Sequence, residues 1–135
     1  MFVSDNITRK SNLDIDDSLS AYLNHTCQQN PNCFEELYKL LVLKKPKRII
    51  EIGTSQGGLT TYLKYMCDAL DLDTQIRSYD INEYPWFDSI REQGIDLRKE
   101  DIFESNYTGL KNTEVVDFIQ EDGVTIILCD GGSKI

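Results

Sequence analysis

The sequence predicts an α/β domain built on a mostly parallel sheet. Short apolar, β-branched runs recur along the chain, with Arg48–Ile52 and 124–129 the clearest. Stretches with helical apolar spacing separate them, and the runs stop at glycine or aspartate. Strands alternating with helices imply parallel pairing with both sheet faces covered.

The elements follow in order. Beyond a polar start, Ile15, Leu19, Tyr22 and Leu23 are spaced for one helix face, and Asn30-Pro31-Asn32 breaks the pattern. A second helix is expected from Cys33, with Phe34, Leu37, Leu40 and Leu41 as its apolar face, ending before Lys44-Lys45-Pro46. The period then changes to a buried strand, Arg48-Ile49-Ile50-Glu51-Ile52, stopped by Gly53. Leu59, Leu63, Met66, Cys67 and Leu70 mark a helix over 59–70. A strand over 75–79 ends at Asp80, a short helix spans 84–93, and a third strand over 95–99 ends near Asp101. A helix over 113–120 leads to the fourth strand, 124–129.

Composition narrows what such a domain can do. The chain has 135 residues with 14 Lys+Arg against 23 Asp+Glu, a formal charge of −9. That length fits one domain or part of one, able to bury a core without disulfides or metals. With 40% hydrophobic and 27% charged residues, wholesale disorder is excluded. The negative balance argues against nucleic acid or an anionic membrane as partner. Met1-Phe2-Val3-Ser4-Asp5 lacks the basic and apolar regions of a secretory signal. No stretch approaches the roughly 18 apolar residues of a membrane helix. Cys27, Cys33, Cys67 and Cys129 have no framework spacing and read as reduced thiols. The sequons at Asn6, Asn24 and Asn106 then read as chance matches, and the expected location is cytoplasmic.

The strongest motif is Glu51-Ile52-Gly53-Thr54-Ser55-Gln56-Gly57-Gly58, between a strand and a helix. Glycine there permits close backbone approach to a ligand, and the helix start offers unpaired N–H groups to an anionic group. A phosphate-cradling loop would need lysine where Leu59 stands, so that reading fails. A dinucleotide fingerprint would need glycine where Ser55 stands, which weakens it. Asp80 closes the next strand, where a carboxylate can accept from a ribose diol. Asp101-Ile102 closes the third, and Asp101 reads equally as a turn cap. Asp130, in Cys129-Asp130-Gly131-Gly132-Ser133-Lys134, ends the fourth at the edge where parallel sheets place ligand chemistry. Lys44-Lys45-Pro46-Lys47-Arg48 reads as solvated loop charge, and His25, Cys27 and Cys33 lack metal-site spacing. Tyr84, Trp86 and Phe87 follow Asp80, where a ring could cover a base, although helix packing is their default role.

From Lys47 to Lys134 these landmarks resemble the cofactor-binding half of a class I S-adenosylmethionine-dependent methyltransferase. The closest flavour is the group of cephalosporin-hydroxylase-like, macrocin and rhamnosyl O-methyltransferases. The resemblance implies a three-layer Rossmann-like sheet of order 3-2-1-4, with residues 1–46 as a helical segment packing on it and 47–135 as the partial domain. It implies a cofactor site of Glu51, Gly53, Thr54, Ser55, Gly57, Gly58, Asp80, Ile81, Asp101 and Ile102. Within it Glu51 would face the methionine amino group, Asp80 the ribose and Asp101 the adenine. It further implies a small hydroxylated acceptor, Asp130 as acceptor-side or metal residue with Mg²⁺ the fitting ion, and Lys134 as a base displaced by one position from its place in relatives. Such folds continue with further strands, so the sheet is expected to be truncated after the fourth. Strand 124–129 is too apolar for a bare edge, which implies cover by another copy, a leading helix or aggregation. The alternatives are an NAD-binding oxidoreductase and a degenerate methyltransferase-like module without catalysis.

Overall fold

The computed structural model describes residues 31–104, 109–111 and 113–129. The helix expected over 15–23, the sequons, and Asp130 and Lys134 lie outside the described residues.

Helix α1, Pro31–Lys44, ends where Lys45 turns left-handed (φ 43°) and returns its N–H to the Leu41 carbonyl at 2.9 Å, with Pro46 barring continuation. Strand β1, Arg48–Ile52, is buried almost throughout, as a β-branched central strand should be. Helix α2, Gly58–Ala69, strand β2, Gln75–Asp80, helix α3, Phe87–Arg91, strand β3, Asp96–Lys99, helix α4, Thr113–Gln120, and strand β4, Thr125–Cys129, follow. All pairings are parallel and the order is β3-β2-β1-β4, as expected. Most boundaries move by a residue or two. The larger change is α3, which starts at Phe87 rather than 84, because Pro85 disfavours helical backbone at Tyr84.

Strand alternation sorts the core into two clusters. On one face Ile49, Ile76 and Leu97 pack under Phe34, Leu37, Tyr38 and Leu41 of α1, Leu63 and Met66 of α2, and Phe87 and Ile90 of α3. On the other, Ile50, Tyr79 and Ile102 meet Val115 and Phe118 of α4. This is a three-layer α/β domain.

Arg48 fastens α4 to the sheet. Its guanidinium, 4% exposed, donates to the carbonyls of Glu121, Asp122 and Gly123, and to Thr125 Oγ1 at 2.9 Å. These are carbonyls at and beyond the helix carboxyl end, where a cation is favoured. On β3, burial would raise the Asp96 carboxyl, yet Arg98 and Arg77 hold it below the usual carboxylate range. Cys33, Cys67 and Cys129 are free thiols, and burial pushes the Cys67 thiol up. Among the described residues no helix is long and apolar enough to cross a membrane.

Candidate functional site

The carboxyl ends of β1, β2 and β3 converge on one edge. Gly53 continues the ladder by donating to the Tyr79 carbonyl at 2.8 Å, and Glu100 donates to the Asp80 carbonyl at 2.8 Å. The three predicted landmarks, the glycine loop, Asp80 and Asp101-Ile102, are therefore neighbours along that edge. Gly53 and Gly57 have φ of 102° and 86°, values at which a Cβ would be strained. Gly57 N-caps α2 without any side-chain cap, and the first turn of α2 carries no acidic residue. The amino end of α2 thus presents backbone donors and positive dipole to the loop.

Asp80 is the hub. One carboxylate oxygen accepts from the Ser55 amide at 2.8 Å and the other from the Asn82 amide at 2.9 Å. A carboxylate has about four lone-pair directions, so two backbone donors fix its orientation and leave capacity for hydroxyl donors. Ile81, beside it, is 63% exposed and offers an apolar surface at the same edge. Ser55 itself is left-handed at φ 49°, and its carbonyl accepts from the Trp86 indole at 2.9 Å. Trp86 stacks on Tyr84 with ring centroids 4.7 Å apart.

Glu51 points inward. It is 1% exposed and accepts from the Thr60 hydroxyl of α2 and from Ser78 Oγ of β2 at 2.6 Å. Thr54 and Ser78 share a further hydrogen bond of 2.6 Å, so a buried carboxylate–hydroxyl network lies directly beneath the loop. Glu51 at this position supports the loop from below rather than presenting a carboxylate to solvent. The network was missed in the sequence, although a signal for it exists: Ser78 follows Ile76 on the core-facing side of β2, in register with Glu51. A serine opposite an inward glutamate marks a polar cluster in a core.

Asp101 forms a turn, its Oδ1 accepting from the Phe103 amide at 3.2 Å, with Lys111 at 3.8 Å from Oδ2. Ile102 is 2% exposed and belongs to the core on the α4 side. Thr54 is buried and Ser55 exposed. Among the described residues no group of three or more His, Cys, Asp or Glu is placed to hold a metal. A cavity of about 380 Å³ lined by Lys64, Thr74, Arg77 and Asp96 opens at the amino end of β2, away from the edge where parallel sheets place chemistry.

No family model matches the chain, and no curated protein matches it. Solved structures do share its fold. The structure "cmcI-N160 SAH" superposes with a TM-score of 0.54 at 15% identity, over 93% of this chain and 62% of the other. The structure "cmcI-D160 Mg-SAM" gives 0.57 at 17% identity, over 93% and 54%. The chain thus spans somewhat more than half the length of these neighbours.

Proposed function

We propose that this chain is the cofactor-binding portion of an S-adenosylmethionine-dependent methyltransferase, directed to an oxygen of a small hydroxylated acceptor in the cytoplasm. One observation carries the reading: Asp80 stands at the end of β2 with both oxygens oriented by backbone N–H groups, one of them from the glycine loop itself. A carboxylate oriented in this way keeps lone pairs for the two hydroxyls of a ribose diol. The neighbours support it, one carrying SAH and the other Mg-SAM. Ser55, where a dinucleotide loop has glycine, speaks against the NAD alternative.

In this reading S-adenosylmethionine supplies an already activated methyl group, which leaves alignment and water exclusion to the protein. Asp80 holds the ribose, Gly53 and Gly57 admit the methionine end against backbone, and the open amino end of α2 faces its carboxylate. Glu51, held by Thr60 and Ser78 beneath the loop, is the proposed partner of the methionine amino group. Asp101 and Ile102 bound the adenine side, with Ile81 exposed beside Asp80. Asp130 and Lys134 are the proposed acceptor-side residues, and Asp130 the proposed Mg²⁺ ligand. A hard cation wants about six oxygens, so one carboxylate by itself would hold Mg²⁺ weakly.

The test is calorimetric titration of the chain with S-adenosylmethionine, S-adenosylhomocysteine and NAD. S-adenosylhomocysteine is expected to bind, and Asp80→Ala to weaken it by about 1.5–3 kcal/mol, the range for hydrogen bonds to a charged group. Tighter binding of NAD, or an Asp80→Ala variant that binds as well as wild type, contradicts the proposal.

A further inference from the structure

We propose that Trp86 is a positioning residue for the 53–58 loop, its indole N–H holding the Ser55 carbonyl so that the loop is set before any ligand arrives. The proposal rests on the cofactor reading for what the loop receives, whereas the latch is a property of the chain alone.

Ser55 is exposed, so packing does not hold it, and its φ of 49° is a conformation that a residue with a Cβ adopts at a cost. Two hydrogen bonds hold it instead. Asp80 takes its amide at 2.8 Å and Trp86 donates to its carbonyl at 2.9 Å. The acceptor Asp80 ends β2 and the donor Trp86 lies in the segment that follows it, so one residue of the loop is gripped on both its peptide groups from one neighbouring stretch of chain. Trp86 is itself immobilised. It lies parallel to Tyr84, with an interplanar angle of 5°, and edge-on to Phe87 at 6.4 Å. Phe87 is fully buried at 0% exposure and anchors the group in the core. The stacking alone would be served by phenylalanine; the indole N–H is what the loop uses. The latch also bears on Asp80. With Ser55 fixed, the carboxylate keeps its orientation, and its remaining lone pairs face the same way for every incoming diol. A preset loop spares the ligand the cost of ordering it.

Trp86→Phe removes the donor and keeps a ring on Tyr84. Two measurements decide the matter. In the ligand-free chain, exchange of the Ser55 amide, followed by NMR, is expected to quicken in the variant. In a titration with S-adenosylhomocysteine, affinity is expected to fall roughly three- to tenfold, the worth of one neutral hydrogen bond. Adding Ser55→Gly to Trp86→Phe should recover part of that loss, because glycine takes the left-handed conformation without steric cost. Unchanged Ser55 exchange, or a variant that binds more tightly than wild type because the latch closes the site, overturns the proposal. If wild type fails to bind S-adenosylhomocysteine, the cofactor reading falls, and the latch then stands or falls on Ser55 exchange alone.

Discussion

The two strands beside β1 meet it on different terms. On the β2 side the contact is polar at its end: Glu51, Ser78, Thr54 and Thr60 form a buried network, and Asp80 ties the loop backbone to β2. On the β4 side it is apolar beyond the Arg48–Thr125 hydrogen bond at its start, and the far edge of β4 is open. β4 is the outermost described strand on its side of the sheet, with its Ile127 49% exposed and Val124, just before it, 44% exposed. Buried polar groups need partners in defined directions, so the first side is rigidly specified. An apolar strand with an open edge specifies only that something should cover it. The candidate site belongs to the first side.

The contrast can be broken at three places. Arg48→Ala should have the largest effect, because it strips the donors from the Glu121, Asp122 and Gly123 carbonyls and uncouples α4 from the sheet. A loss of about 3 kcal/mol is expected in denaturant unfolding, in the range for removing a buried charged partner. A loss below about 1 kcal/mol, the worth of one ordinary hydrogen bond, would mean that Val115, Phe118 and the Arg98–Glu114 ion pair hold α4 without it. Next comes Ser78→Ala, which removes one donor from Glu51 and leaves Thr54 without its partner. It should cost about 2 kcal/mol of stability, as for a buried polar group left unsatisfied. Were the variant as stable as wild type, the network would not be what holds the loop. The smallest effect on stability belongs to Ile127→Lys. On the exposed edge it should shift stability by no more than about 0.5 kcal/mol. It should instead lower self-association, measured by light scattering against concentration, if a second copy, rather than a leading helix, is the cover expected over strand 124–129. Equal association in both proteins would remove that role for the edge.

Much of this was legible because it is periodic. The β-branched run of β1 between Pro46 and Gly53, and the runs closing at or near Asp80 and Asp101, sufficed for the strands, whereas their order came from the resemblance to class I methyltransferases. Pro85 was in plain view, yet a helix over 84–93 was expected, since apolar spacing outweighed the restriction that proline places on Tyr84. The direction of Glu51 was less accessible. An acidic residue before a glycine loop can face solvent or core, and only the register with Ser78 and the reach of Thr60 decide it. Trp86 was hidden for a similar reason. Its packing is readable from its neighbours, whereas a hydrogen bond to a backbone carbonyl across 31 positions of sequence leaves no local trace.

The most direct test of the central claim, that the nucleoside site lies at the β1–β2–β3 carboxyl edge, is to map amide shifts of the chain on addition of S-adenosylhomocysteine. The largest shifts are expected at Gly53, Ser55, Gly57 and Gly58, at Asp80, Ile81 and Asn82, and at Asp101 and Ile102, with Thr125 to Ile127 unmoved. Shifts concentrated along β4 or around Lys64, Thr74 and Arg77, with the 53–58 loop unmoved, would contradict it.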